Sequence, residues 1–337
     1  MGSKVTNKYP LVSVIIVNWN GQAFLAEVLG KLQVQSFKDF EIIVVDNGST
    51  DGSMDLLRTF RPQVRVECLP VNQGFAAANN IGAALSRGHW IALLNNDAFP
   101  QSNWLAALVS ATERYSEFQF FASSLLMARR PGYLDGTGDI YHISGMAWRR
   151  DHGRKEPRLN PEAGEVFGPC GAAALYPRDL FIQTGGFDPD YFCYHEDVDL
   201  SFRLRLQGHR CLYVPEAQVQ HLGSASSAKD SDFAIYHGHR NLVWTFIKNM
   251  PPPLLSYYLP AHWFLNLATL VWFTAGGQGR AISRAKRDAL RGLPGALTKR
   301  KIIQKQRKAP VSAISQALDR HWLNPYWDFF ARRRTTH

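Results

Sequence analysis

Three carboxylates and an imidazole fall within five positions in YHEDVDLSFRLR (194–205): His195, Glu196, Asp197 and Asp199. Crowded carboxylates repel one another and are costly to bury. The cluster is therefore a solvated acidic start to a helix, a metal site, or a catalytic base with its supports. HEDVD begins like the zinc-binding H-E-x-x-H but has Asp199 in place of the second histidine, which argues against a zinc protease. Two further acids close apolar runs, Asp46 in EIIVVDNGSTDGS and Asp97 in IALLNNDAF. A carboxylate placed like Asp46 accepts hydrogen bonds from a nucleobase imide or a ribose hydroxyl. One placed like Asp97 offers hard oxygen to a divalent cation that neutralises a diphosphate. Either alone is equally an Asx-turn closing a strand; the two together, separated by NQGFAAANNIG, are far more specific. There is no G-x-x-x-x-G-K-[ST], and GTGDIY lacks a third glycine and does not follow the first strand, so P-loop and dinucleotide fingerprints are both excluded.

These residues need elements to hold them. LVSVIIVNWN (11–20) and FEIIVVDNGSTDGS (40–53) are β-branched runs that read as buried strands, with VRVECL and HWIALLNND as further strands. GQAFLAEVLGKLQVQ, MDLLRTF and GFAAANNIGAALSRG between them read as helices. Strand–helix alternation predicts right-handed crossovers and a parallel sheet, with the site beyond the carboxyl ends of the strands. Those ends, Asn18–Asn20, Asp46–Asn47 and Asn95–Asp97, are all polar. In 194–208, alternation of Val198, Leu200, Phe202 and Leu204 suits a strand. The helix formers, a terminal Gly208 and an i,i+4 pair Asp199–Arg203 suit a helix, which is the reading adopted. Residues 130–168 are rich in Gly, Arg and Asp and are expected to be a long functional loop containing a hairpin.

The 337 residues carry 38 basic and 28 acidic side chains, a net charge of +10, and 45% apolar residues. One large or two small domains are expected, with anionic partners. Cys68, Cys170, Cys193 and Cys211 form no C-x-x-C pair and read as reduced cytosolic thiols. MGSKVTNKYP has no signal-peptide core, and its Gly2 is only a weak myristoylation signal. The apolar, aromatic PPPLLSYYLPAHWFLNLATLVWFTAGG (251–277) precedes a segment, 280–308, with eleven Lys and Arg against the single acid Asp288. Together they predict contact with an anionic membrane surface rather than a span, because Pro260, His262 and Asn266 interrupt the run. A buried helix with a solvated basic tail is the alternative, and the aromatics suit a homodimer interface equally.

The order and spacing of VSVIIVNWNG, EIIVVDNGSTDGS, NQGFAAANNIG, IALLNNDAF, CGAAALYPRDLF through HLGSAS, and HRNLVWTFIKNMP resemble family 2 glycosyltransferases of the GT-A fold over residues 11–250. YHEDVDLSFR, HLGSAS and the basic tail look most like bacterial rhamnosyltransferases of cell-surface polysaccharide synthesis. The resemblance implies a Rossmann-like, mostly parallel α/β sheet flanked by helices in a catalytic domain (1–250), with a helical membrane-associating or dimerising region (251–337). It implies that Val17 and Asn18 line the nucleotide pocket and that Asp46 holds the base or ribose. Asn72, Gly74 and Asn79 then lie near the nucleotide and diphosphate. Asn95-Asn96-Asp97 occupies the D-x-D position, so Asp97 is its one anionic ligand for Mg²⁺ or Mn²⁺, and His221 matches a second metal ligand. Asp197 is the expected general base of an inverting transfer. Glu196 and Asp199 support it or bind acceptor, in roles that stay unseparated. Gly171 lets the sugar approach backbone or packs tightly, Arg240 and Asn241 reach the diphosphate or the acceptor's phosphates, and Trp148 with Arg149 and Arg150 forms either a lid or an ordinary exposed loop.

The expected reaction moves a sugar, first candidate rhamnose from TDP-rhamnose, to a glycan or polyprenyl-linked acceptor. The expected place is the inner face of the bacterial cell membrane, with no nucleic-acid partner. Alternatives are a UDP-sugar-dependent transferase (galactofuranosyl, glucosyl or N-acetylhexosaminyl) and a catalytically inactive membrane-docked module. A nucleotidyltransferase would need a basic loop after the first strand, and NWNGQAF carries no Lys or Arg.

Overall fold

The computed structural model describes residues 9–156, 162–223 and 231–321. The N-terminal eight residues and the second half of HLGSAS (224–226), two stretches on which expectations were placed, lie outside them. In chain order the first half comprises β1 (Val12–Asn18), α1 (Gln22–Gln33), β2 (Phe40–Asp46), α2 (Ser53–Thr59), β3 (Val64–Cys68), α3 (Phe75–Leu85), β4 (Trp90–Asn95), β5 (Ala98–Pro100), α4 (Trp104–Arg114) and β6 (Phe120–Met127). There follow β7 (Leu134–Gly136), β8 (Asp139–Tyr141), β9 (Ala147–Arg149), β10 (Gly164–Val166), β11 (Ala173–Pro177), α5 (Arg178–Gln183), α6 (Glu196–Leu206) and β12 (Cys211–His221). The chain continues through α7 (Asp232–Asn249), α8 (Pro252–Phe273), α9 (Gly279–Arg291), α10 (Leu293–Lys305) and α11 (Val311–Ala317).

The sheet runs β10-β12-β6-β11-β4-β1-β2-β3. Strands β12, β6, β4, β1, β2 and β3 point one way, and β11 and β10 oppose them. This is the mostly parallel α/β sheet expected. The β-branched runs are buried because both faces are covered. Val12, Val14 and Ile16 pack with Leu25 and Leu29 of α1 and Trp104 and Leu108 of α4. Ile15, Ile91 and Leu93 pack on the other face with Ala76 and Ala83 of α3, Phe181 of α5 and Leu200 and Leu204 of α6. Register sets Asn18 beside Asp46 and Val17 beside Asn95, so the polar strand ends meet along one edge.

Residues 130–168 are not one loop. They form β7 on the edge of β6, the hairpin β8–β9, and β10 on β12. Each of these strands has three residues, too few to show periodicity.

Packing is continuous across residue 250. Phe202 and Leu206 of α6, Phe246 and Met250 near the end of α7, Tyr258 of α8 and Ile314 of α11 share one core. The charge-free α8 leaves Tyr257, Trp263, Phe264, Leu267 and Val271 between 60% and 76% exposed. Arg284, Arg287, Arg291, Lys301 and Lys305 are exposed on the following helices. Among the described residues no helix is long and apolar enough to cross a membrane.

Candidate active site

Where β1, β2 and β4 end, their polar residues lock together. Asn18 Nδ2 donates to Asp46 Oδ1 (2.9 Å) and to Ser49 Oγ (3.2 Å), while Asn96 Nδ2 donates to Asn18 Oδ1 (2.9 Å). The Ser49 N–H caps Asp46 Oδ2 at 3.0 Å. The next loop is held by Asn47, which the sequence marked only as part of a polar strand end. Its Nδ2 donates to Asn72 Oδ1 (2.9 Å) and its Oδ1 accepts the Gln73 N–H (2.8 Å). Gly74, with φ of 87°, lies so close to Phe192 that a Cβ there would sit 2.6 Å from its ring. Val17, Asn18, Asp46, Asn72, Gly74 and Asn96 are thus gathered as predicted. Asn79 is not: it is buried, and its Nδ2 donates back to the Phe75 carbonyl.

Asp97 follows β4 and His221 ends β12, and β5–β12 pairing brings them together. His221 Nε2 lies 3.4 Å from Asp97 Oδ1, and its Nδ1 lies 2.7 Å from Asp135 Oδ2. At 3.4 Å the contact is longer than an ordinary N–H···O hydrogen bond, and the buried Nε2 makes none. Burial opposes the imidazolium, but the carboxylates of Asp135 and Asp97 outweigh it and move the His221 pKa upward. A ring nitrogen facing a carboxylate oxygen needs a cation between them, a proton or a metal ion, so these residues fit a divalent cation. Among the described residues no third His, Cys, Asp or Glu completes a cage. A metal held by Asp97 and His221 would need further ligands from the substrate, since Mg²⁺ and Mn²⁺ sites commonly combine a few protein ligands with substrate oxygens. Asp135 was missed because it sits in the stretch without periodicity. It also pairs with Arg149 and lies 3.2 Å from His152, and these partners hold its carboxyl well below the ordinary range against the cost of burial.

Beside this edge lies a cavity of about 340 Å³ between β4, the β8–β9 hairpin, the start of α6 and α7. Asn95, Trp148, Arg149, Gly171, Glu196 and Asp197 line it. The Asp197 Oδ2 accepts the Gly171 N–H (2.8 Å) and Oδ1 accepts the Val198 N–H (2.8 Å). Burial pushes the Asp197 pKa up; the two N–H groups and the Arg149 charge pull it only partly back. Gly171 fits because a Cβ would press on Asp197 Oδ2 at 3.3 Å and on Phe75 at 3.4 Å. Asp139 also lines the cavity, and burial followed by the Asp197 charge raises its pKa well above the carboxylate range. Glu196 is 5% exposed, its Oε2 has no partner, and burial with Asp197 beside it likewise favours its neutral form. Burial thus raises both neighbouring carboxyls, and of the two Asp197 is the one whose oxygens are held by the N–H groups of Gly171 and Val198.

The helix expected at 196 is present, with Gly208 in the left-handed conformation just past its end. Phe192, Tyr194 and His195 precede it with φ of 63°, 69° and 67°. Each such residue costs on the order of 1–3 kcal/mol, strain that surrounding structure must over-determine. Asn241 supplies that: its Nδ2 meets the carbonyls of Tyr191, Cys193 and Tyr194 at 2.8–3.0 Å.

Three expectations need correction. Asp199 does not line the cavity. It is fully buried, paired with Arg203 (2.9 Å) and Lys248 (2.9 Å), and accepts from Asn249 (2.7 Å) and Tyr191 (3.2 Å). Burial works against its charge, but Lys248 and Arg203 dominate and lower its pKa. It is a structural hub, not an acceptor ligand. Arg240 is spent on the carbonyls of Asp190 (2.9 Å) and Tyr191 (3.1 Å) and stacks over Trp244, so it braces the loop. Trp148 is buried in the cavity wall and is neither a lid nor part of an exposed loop.

The chain matches the signature described as Glycosyl transferase family 2 over residues 13–185. It is 28% identical over 250 residues to N-acetylglucosaminyl-diphospho-decaprenol L-rhamnosyltransferase of Mycobacterium tuberculosis, covering 67% of this chain and 81% of that protein. Among solved structures, the mannosyltransferase PcManGT from Pyrobaculum calidifontis, in complex with GDP-Man and Mn²⁺, superposes with a TM-score of 0.53. The match has 18% identity and covers 92% of this chain and 88% of that one. S. aureus TarS 1-349 in complex with UDP-GlcNAc gives 0.55 at 17% identity, over 91% and 92%. These two likenesses carry the fold. With the family signature spanning half of its length, the chain belongs to glycosyl transferase family 2 and is a glycosyltransferase similar to bacterial rhamnosyltransferases.

Proposed function

We propose that this glycosyltransferase transfers a sugar, with inversion, from a nucleoside-diphosphate donor to a hydroxyl of a lipid-linked or polysaccharide glycan. Rhamnose from TDP-rhamnose is the first candidate, supported by the relative named as a rhamnosyltransferase acting on a diphospho-decaprenol. The observation that carries the reading is Asp197, a half-buried carboxylate whose oxygens are fixed by two N–H groups at the wall of the cavity beside the polar strand ends.

The nucleotide lies along the ends of β1, β2 and β4, against Val17, Asn18, Asp46 and Asn72, with Asn95 and Asn96 beside its diphosphate. Asp97 and His221 hold a divalent cation, which supplies charge neutralisation for the departing diphosphate; Mn²⁺ in the named mannosyltransferase structure supports this. Asp197 takes the proton of the attacking hydroxyl. Glu196, kept neutral, donates a hydrogen bond to the acceptor. Arg149 balances the charge that Asp197 carries before it takes the proton. No second carboxylate is required on the leaving side, because a nucleoside diphosphate already leaves well.

The enzyme acts at a membrane surface on the cytoplasmic side of a bacterial cell membrane, with the exposed apolar face of α8 in the interface and the basic α9–α10 surface toward anionic headgroups. Incubation with TDP-rhamnose, UDP-GlcNAc and UDP-galactofuranose and Mg²⁺ or Mn²⁺ tests the reaction. TDP is expected to be released from TDP-rhamnose, slowly without acceptor and faster with lipid-linked glycan. No nucleotide release from any donor, with or without acceptor, would sink the proposal.

A further inference from the structure

We infer that the cavity beside Asp197 continues into an anion site at which Lys286, His239 and His195 receive a phosphate or diphosphate group of the acceptor.

Lys286 is half-buried between α9 and α8. Its Nζ donates to Asn266 Oδ1 at 2.6 Å, and among the described residues no carboxylate pairs with it. The buried cations are treated differently: Arg203 has Asp199, Arg205 has Glu165, and Lys248 has Asp188 and Asp199. Half-buried Arg149 also has a carboxylate, Asp135. An ammonium partly withdrawn from water without a counter-charge is destabilised. Burial accordingly pulls the Lys286 pKa down to about 7.

The surroundings are short of partners too. The Lys286 charge acts on His195, His239 and His262. His195 Nδ1, His239 Nδ1 and His262 Nε2 are buried without a hydrogen-bond partner. Native interiors rarely leave several polar atoms unsatisfied in one place, and such a group calls for a ligand. Room exists: His195 lines the cavity with Ala234 and Gly238 of α7, and a Cβ added to Gly238 would meet nothing within 4 Å. One anion with several oxygens would give the ammonium its counter-charge and the imidazoles an acceptor.

The position favours the acceptor over the donor, and this step rests on the transfer reading above. Donor diphosphate belongs at the strand ends with Asp97 and His221, and Asn95 marks that side of the cavity. A single displacement with inversion requires the acceptor on the opposite side of the sugar, which is the α7 side. Asn266 and His262 belong to α8, whose outer face is apolar, so a lipid attached to that phosphate leaves toward an apolar surface.

The test is binding to the metal-free protein in EDTA, followed by calorimetry with inorganic pyrophosphate and with geranyl diphosphate. Both are expected to bind saturably, geranyl diphosphate more tightly. Lys286→Met is expected to weaken both at least tenfold, His239→Phe to weaken both, and Lys286→Arg and Asp97→Asn to retain them. No saturable binding to the wild type, or undiminished binding to Lys286→Met, overturns the site. Loss in Asp97→Asn in place of Lys286→Met puts the anion on the donor side and overturns it as well. Geranyl diphosphate binding no tighter than pyrophosphate assigns the pocket to the free anion and overturns the acceptor assignment. In anion-free buffer Lys286→Met is expected to unfold at the wild-type temperature or above, since it removes an uncompensated charge. A lower unfolding temperature would make Lys286 a structural cation and refute the proposal. None of these readouts needs turnover, so failure of the anion site and failure of the transfer reading are separately visible.

Discussion

The Nδ1 atom of His221 lies 2.7 Å from Oδ2 of Asp135, a residue 86 positions earlier in the chain. A carboxylate behind an imidazole fixes the ring and its tautomer and aims the other nitrogen, here at Asp97. Asp135→Asn keeps the shape and weakens that hold. Its Mn²⁺ affinity, read from metal titrations of nucleotide release, is expected to fall about 10–100-fold, with turnover largely regained at saturating metal. An unchanged metal dependence would remove Asp135 from the metal site.

Asp197→Asn should bind donor normally and lose roughly 10²–10⁴ in kcat, the usual share of a positioned base. The base works only when deprotonated, so kcat/KM rises with pH through the pKa of Asp197. Burial raises that pKa above 3.8, and Arg149 lowers it in part. The acid limb therefore sits above the ordinary carboxylate midpoint, and Arg149→Met, assayed at saturating metal, should move it to higher pH. A limb that stays in place in Arg149→Met means another group titrates there.

How far the sequence could be read follows from the range of the interactions. The buried strands and the polar ends at Asn18, Asp46 and Asp97 were readable because β-branched runs and turn residues are local signals. The α6 start and the Asp199–Arg203 pair were readable because both lie within two turns of one helix. The duty of Asp199 was not, since Lys248 and Asn249, which claim it, come from a different helix about fifty residues later. Asp135, Asp139 and the burial of Trp148 were hidden for a related reason. Their strands are three residues long and owe their burial to β6, β12 and the helices around them, not to any pattern of their own.

Lys248→Met tests the hub directly. It leaves a fully buried Asp199 with one cation in place of two, and loss of a partner from a buried pair typically costs about 3–5 kcal/mol. Denaturant unfolding should show that loss. The pH dependence has a definite sign: the folded pKa of Asp199 is lowered from 3.8, so its contribution is complete above about pH 4 and disappears as acid approaches the lower folded value. Wild type should lose stability along that limb, and Lys248→Met should lose less, having less to give up. Equal acid sensitivity in both proteins would show that the pair does not set it.

The exposed face of α8 makes the membrane proposal testable without an acceptor. Trp263 is 73% exposed and Phe264 60%, on a helix without a charge, next to a surface that carries Arg284, Arg287 and Arg291. Burying one such side chain contributes about 1.5–3 kcal/mol, so replacing two should be felt as more than a tenfold loss. Trp263→Ser with Phe264→Ser is expected to abolish most sedimentation with phosphatidylglycerol vesicles while soluble nucleotide release is unchanged, because neither residue lines the cavity. Raising salt should weaken the wild type by screening the basic surface, leaving the apolar contribution behind. If the double variant sediments like the wild type, α8 does not meet the bilayer. If it also changes from a dimer to a monomer, the aromatics served a second copy of the chain.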